Sequence, residues 1–332
     1  MINVGINGFG RIGKCVFLQL LELDHVTVTA INIPDFDIAF FEHYLKIDSN
    51  HHYKRDWIIS VISENQIKIN NSVITILNSR NACDLDWKAH GVKYLIDATG
   101  VYLTTEKAKQ HDVENFIMCA PPKDNTPQFM VDGNEQKYNG EKIISNASCT
   151  SNSIIPVLKF LNDNYGIING NFNTIHAATS SQKTTDTIKM NKRTCRSIFN
   201  NIIPHTTGAS KSIGKILPEL EGKLIGASIR VPVSNVSLIN LNIRLKNETN
   251  LENILTEMGK TDYIKIEKKP FMVSSDFMTT ACPSIIDTNG SMNLHDNQFK
   301  IMIWYDNEWS YSNKIIQLLE MMVSFYSLKH TC

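Results

Sequence analysis

The chain of 332 residues has no cysteine framework. Its seven cysteines, at 15, 83, 119, 149, 195, 282 and 332, are odd in number, scattered and free of any C-x-x-C pair. That pattern excludes a disulfide scaffold and a zinc-finger spacing, and fits a reducing cytoplasm. No apolar run approaches the ~18–20 residues of a membrane span. Arg11 and Lys14 interrupt the place where a secretion signal would need its apolar segment, so no leader is expected. Net charge is absent too: 33 Lys+Arg stand against 33 Asp+Glu, leaving no global drive towards nucleic acid or anionic lipid. Arginine is scarce, 7 residues against 26 Lys, 42 Ile and 34 Asn, a skew that AT-rich codons explain. Each Arg therefore invites attention. Repeats, low-complexity tracts and linkers are missing, so two domains of about 150 residues should share one body.

What is present begins at the N-terminus. Ile2–Asn7 reads as a short strand, and Gly8-Phe9-Gly10-Arg11-Ile12-Gly13 follows at once. Cys15–Leu23 has helical periodicity, and Val26–Ile33 is a β-branched strand. A G-x-G-x-x-G turn in β-α-β context permits close backbone approach to a pyrophosphate at the helix N-terminus. The acid expected some 20 residues on, for the adenosine ribose, is missing: the strand ends Asn32-Ile33-Pro34, with Asp35 and Asp37 only afterwards. An acid there would also repel a 2′-phosphate, so the choice between NAD and NADP stays open.

Leu95–Ala98, Phe116–Met118 and Ile143–Ile144 are further apolar runs, and Ala147–Leu161 reads as a helix beginning beside Ser148. Beyond it, Asn173–Ala177, Gly226–Val233, Ser237–Leu245, Met272–Ser274 and Lys300–Tyr305 read as strands of a mixed, largely antiparallel sheet. Thr187–Thr207 is helix-poor, and Ile315–Tyr326 closes the chain as an amphipathic helix. Cys149 falls at a strand-to-helix turn, where a helix N-terminus favours a thiolate. His176, 27 residues on, ends a strand and could serve as its base or ion-pair partner, although spacing alone does not bring the two together.

INGFGRIG at 6–13, SNASCTSN at 145–152, IHAATSSQKTTD at 175–186, the long stretch 201–237 and WYDNEWSYSN at 304–313 resemble phosphorylating glyceraldehyde-3-phosphate dehydrogenases, in the family's order over essentially the whole chain. The resemblance implies an α/β fold: a Rossmann dinucleotide-binding domain, 1–148 with 314–332, and an α+β catalytic domain, 149–313. It implies Cys149 as nucleophile and His176 as its activator and acid/base, passing through a hemithioacetal and a thioester to an acyl phosphate. Thr179, Ser181 and Arg230 match the substrate-phosphate site; Ser148, Thr150, Thr207 and Gly208 match the site of attacking inorganic phosphate. Gly8, Gly10, Arg11, Ile12, Gly13, Ile33, Arg80, Cys119 and Asn313 match cofactor positions, with Asn313 orienting the nicotinamide carboxamide. A cytoplasmic homotetramer taking NAD, with no nucleic-acid partner and no metal, completes the expectation.

Three departures qualify it. Ile33 stands where NAD-linked members carry the ribose-binding Asp, and Arg80 could then serve a 2′-phosphate. Ser153 replaces the family's second cysteine. Thr187–Phe199 differs from the loop that in the tetramer lines a neighbour's cofactor site. Two alternatives follow: an erythrose-4-phosphate dehydrogenase with the same nucleophile, or a relative retained as a binding scaffold.

Overall fold

The computed structural model describes residues 1–52, 56–188 and 193–329. Residues 189–192, inside the atypical loop, and Cys332 lie outside the described residues. The chain forms two compact units, Met1–Ala147 with Ser312–Cys332, and Ser148–Tyr311. Relative to the sequence expectation, Ser148 thus falls in the second unit, and Ser312 and Asn313 fall in the first.

In the first unit the elements run β1 (Ile2–Asn7), α1 (Arg11–Leu20), β2 (Val26–Asn32), α2 (Phe41–Lys46), β3 (Ile59–Ser63), β4 (Gln66–Ile69), β5 (Ser72–Leu77), β6 (Tyr94–Asp97), α3 (Thr105–Ala108), β7 (Asn115–Met118) and β8 (Ile143–Ser145). They build one sheet in the order β3-β4-β5-β2-β1-β6-β7-β8. From β5 to β8 neighbouring strands are parallel. β3 and β4 extend the sheet as antiparallel strands; β3 is largely exposed, so periodicity did not reveal it, whereas β4 buries Ile67 and Ile69. β6 and β7 are buried at every residue, as a covered parallel sheet requires. Strand order reverses at β1, and ligands of such sheets bind at the carboxyl ends beside that reversal.

The second unit opens with α4 (Cys149–Tyr165), followed by β9 (Ile167–His176), β10 (Ile203–Thr206), α5 (Ala209–Ile216), β11 (Leu224–Arg230), β12 (Ser237–Leu245), α6 (Leu251–Met258), β13 (Lys265–Glu267), β14 (Ile285–Asn293) and β15 (Gln298–Tyr305). Its sheet runs β10-β11-β9-β12-β15-β14-β13. Four of the six pairings are antiparallel, with β11/β9 and β14/β13 parallel. α7 (Trp309–Lys329) closes the chain.

The boundaries correct several expectations. α1 begins at Arg11 rather than Cys15, directly on the glycine turn. Ala147 precedes α4 and takes a left-handed φ of +51°, so the helix starts two residues later than its apolar pattern suggested. Met272–Ser274 is not a strand; Val273 leads into a short 3-10 turn, Ser274–Phe277. α7 starts six residues before Ile315, because Asp306 Oδ1 accepts from the Glu308 and Trp309 N–H groups and starts the helix early.

Candidate functional site

The glycine turn leads straight into α1. Gly8 sits at φ +89°, and a Cβ there would lie 2.9 Å from the Thr99 methyl. At Gly13 a Cβ would lie 2.0 Å from the Gly8 carbonyl oxygen, so the helix packs on the turn only without a side chain. Around Gly10 a Cβ would meet nothing within 4 Å. The first turn of α1 contains no acid, and no side chain caps it at Gly10. Its N–H groups, from Arg11 and Ile12 onward, fit a pyrophosphate. The Arg11 side chain is engaged elsewhere, in a fork to Asp48 at 2.6 and 2.9 Å. Burial opposes ionisation of Asp48, but Arg11, the His51 and Asn50 N–H groups and Lys14 together hold its carboxyl well below the usual carboxylate range.

Polar side chains tie the carboxyl ends of the neighbouring strands. Asn32 Nδ2 donates to Asn7 Oδ1 at 2.8 Å, and Asn7 Nδ2 donates to Asp97 Oδ1 at 2.8 Å. Thr99 Oγ1 donates to the same Asp97 oxygen at 2.8 Å. Burial pushes Asp97 up to about 7, against the hydrogen bonds from Thr99 and Asn7. Cys119, just beyond β7, donates its N–H to the Asp97 carbonyl at 2.9 Å, and burial raises its thiol well above the ordinary range. Asn7, Asn32 and Asp97 escaped the sequence reading as site residues, although polar residues closing apolar strands were the available signal. Asn313 is held on both sides, its Nδ2 donating to Gln19 Oε1 and its Oδ1 accepting from Gln317 Nε2, each at 3.1 Å. Ile33 is half-buried past the end of β2, its N–H bonded to the Leu77 carbonyl at 2.9 Å. Arg80 reaches the Asp35 carboxylate.

In the second unit, Ser148 caps α4: its Oγ accepts from the Ser151 N–H at 3.1 Å and contacts Ser151 Oγ at 2.8 Å. That cap fixes Cys149 as the first helical residue. β9 brings His176 to it, with Nε2 3.4 Å from Cys149 Sγ. The register pairs His176 with Arg230 on β11. Arg230 Nη1 lies 2.7 Å from His176 Nδ1 and donates to the Ala177 carbonyl at 3.2 Å. Its Nε is buried and finds no hydrogen-bond partner among the described residues.

Burial dominates the electrostatics. It pushes the Cys149 thiol above its ordinary range, while the Arg230 charge and the Thr150 N–H and hydroxyl pull it back. The helix start alone suggested the opposite direction. Burial and the Arg230 charge bring His176 down to about 3, so the imidazole is neutral and Arg230 carries the positive charge. Tyr305 was missed as a site residue. Its hydroxyl joins Thr150 Oγ1 at 3.0 Å to Thr174 Oγ1 at 2.8 Å, and its ring lies edge-on to His176.

The hydroxyl residues after β9 and β10 make local contacts. Thr179 and Ser181 share a hydrogen bond at 3.0 Å, and Gln182, another residue the sequence reading passed over, holds both. Ala178 N–H bonds the Val233 carbonyl at 2.8 Å, which anchors this turn beside the end of β11. Thr207 Oγ1 accepts from the Ala209 N–H at 3.2 Å, and exposed Gly208 opens α5.

Comparison with known proteins agrees over both units. Residues 2–105 match the NAD binding domain of glyceraldehyde 3-phosphate dehydrogenase, and residues 148–307 match its C-terminal domain. The glyceraldehyde-3-phosphate dehydrogenase of Salmonella typhimurium is 39% identical over 327 residues, covering 96% of this chain and 98% of that protein. Glyceraldehyde-3-phosphate dehydrogenase A of Escherichia coli K12 matches equally, and the enzyme of Podospora anserina is 38% identical over 98% of both chains. With its glycine turn, its capped cysteine and its histidine on β9, the chain belongs to the glyceraldehyde-3-phosphate dehydrogenase family.

Proposed function

We propose that the chain is a phosphorylating dehydrogenase that oxidises D-glyceraldehyde 3-phosphate to 1,3-bisphosphoglycerate, with NAD as electron acceptor. The observation that carries this is the Cys149–His176 contact at 3.4 Å with Arg230 behind the imidazole. Cys149 Sγ adds to the aldehyde carbon, forming a C–S bond, while His176 Nε2 takes the thiol proton and passes it to the carbonyl oxygen. His176 then takes that proton back as the carbon loses hydride and becomes a thioester. NAD, when bound, supplies the hydride acceptor. An oxygen of inorganic phosphate attacks the thioester carbon, and Cys149 leaves as thiolate. Arg230, Thr179 and Ser181 supply donors for the substrate phosphate; Ser148, Thr150, Thr207 and the N–H groups beside Gly208 supply them for the attacking phosphate.

Gly8, Gly10, Gly13 and the α1 N-terminus would cradle the cofactor pyrophosphate, and Asn313 would orient the carboxamide. Ile33 removes one barrier to NADP. The assembly is a cytoplasmic homotetramer; Phe199, Ile202 and Ile225, exposed at 65%, 71% and 72%, support association through the second unit. Among the described residues, no helix is long and apolar enough to cross a membrane.

The test is reduction of NAD with glyceraldehyde 3-phosphate and with erythrose 4-phosphate, each with and without inorganic phosphate, plus mass spectrometry of the Cys149 peptide. Phosphate-dependent turnover of the triose with an acyl adduct on Cys149 supports the reading. Faster turnover of the tetrose makes this an erythrose-4-phosphate dehydrogenase, and no turnover of either leaves a binding relative.

A further inference from the structure

The missing acid at position 33 leaves the carboxyl end of β2 without its usual ribose partner. The chain does not leave that end uncharged. Pro34 and Asp35 form a turn directly after β2, and Asp35 takes a left-handed φ of +59°. Pro followed by a left-handed residue is the pattern of a turn that normally places Gly or Asn second. Asp tolerates that region better than most side chains, and neighbours decide whether it is held there in one conformation. Two neighbours hold it. Asn78 Oδ1 accepts from the Asp35 N–H at 3.0 Å, and Arg80 forms an ion pair with the Asp35 carboxylate. Both partners come from the segment after β5, the strand that pairs in parallel with β2. The turn is therefore fixed at the carboxyl edge of the sheet, the side on which such sheets bind dinucleotides.

The Asp35–Arg80 pair lies on the surface, with side chains 74% and 78% exposed, so its contribution to stability is small. Its geometric effect is larger: Arg80 holds an outward carboxylate in one place. We infer that Asp35 does the work of the missing acid at residue 33, holding the adenosine ribose hydroxyls, with Arg80 as its positioning residue. This rests on the proposed dinucleotide site and commits its specificity to NAD. A carboxylate accepts from a 2′-hydroxyl and repels a 2′-phosphate. Arg80, already paired, is then not a phosphate receptor, contrary to the role its sequence position suggested.

The experiment measures equilibrium binding of NAD and NADP to the apo protein by calorimetry, with no turnover. Wild type should bind NAD about tenfold or more tightly than NADP, the difference a charge-assisted hydrogen bond makes. Asp35→Ala should remove most of that preference, by weakening NAD and strengthening NADP; Asp35→Asn, which suits the left-handed turn, should act the same way with unchanged melting. Arg80→Gln should weaken NAD modestly and leave NADP no weaker. An unchanged NAD:NADP ratio in Asp35→Ala overturns the inference, and so does a selective loss of NADP binding in Arg80→Gln. Ile33→Asp separates the two levels: if it raises NAD preference while Asp35→Ala does nothing, the ribose lies at β2 but Asp35 does not read it. If neither variant changes the ratio, the placement of the ribose at β2 fails as well.

Discussion

Arg230 Nη1 stands 2.7 Å from His176 Nδ1, and that contact governs the imidazole. A guanidinium only donates. Towards Arg230, then, Nδ1 can only accept. The Ala177 carbonyl, 2.8 Å from Nδ1, is the competing partner: it can only accept, and it favours the tautomer with the proton on Nδ1 and Nε2 open towards Cys149 Sγ. In that tautomer His176 can take the Cys149 proton at Nε2 and hand it to the oxygen of the first adduct.

Removing that cation should be legible at both partners. In Arg230→Leu the midpoint of Cys149 alkylation by iodoacetamide should move up by about one pH unit, since a nearby cation commonly lowers an acid by one to three units. His176 should rise from about 3 but stop short of its ordinary value, because its burial remains. Nitrogen NMR of the imidazole and a pH series of alkylation rates check both. An unmoved alkylation midpoint would show that Arg230 does not act on the thiol.

The glycine turn separates folding from binding. Gly13→Ala should lower Tm markedly, because its Cβ would enter the Gly8 carbonyl at 2.0 Å. An ordinary helical Gly→Ala change would stabilise by up to about 1 kcal/mol. Gly10→Ala has open space around its Cβ and should melt within about 0.5 kcal/mol of wild type, yet bind NAD at least tenfold more weakly. Normal NAD affinity in Gly10→Ala would mean that the pyrophosphate does not approach that backbone.

Tyr305→Phe should cost about 1–3 kcal/mol, since it strips a shared partner from buried Thr150 and Thr174. Thr150 then loses the contact that orients its hydroxyl. The KM for inorganic phosphate should rise more than the KM for aldehyde. An equal change in both would make Tyr305 a packing residue only.

Much of this was readable from the chain, for identifiable reasons. The strand β1, the Gly8–Gly13 turn and the Ser148-Cys149 helix start are local signals, set by residues adjacent in sequence. The strand β3 has no buried face, so periodicity could not find it. Arg230 behind His176 depends on the register of β11 with β9, and Tyr305 behind Thr150 spans 155 residues. Such pairings arise only when the sheet forms. The thiol's upward push is likewise a property of burial, which a helix N-terminus in sequence does not disclose.

Asp97 gives a stability prediction with a definite sign. It is 2% exposed, its Oδ2 has no hydrogen-bond partner among the described residues, and burial raises it to about 7 from an ordinary 3.8. Between about pH 4 and 7 the unfolded chain has released this proton while the folded chain keeps it. Unfolding then releases a proton, so stability falls as pH rises through that window and levels off above it. A raised carboxylate of this size costs on the order of a few kcal/mol above pH 7. Asp97→Asn keeps the oxygen that accepts from Asn7 and Thr99 but cannot ionise. Chemical denaturation at intervals from pH 4 to 8 should show the variant gaining on wild type steadily up to about pH 7, then running parallel. A constant difference across the series would mean that Asp97 ionises in the fold as readily as in the unfolded chain.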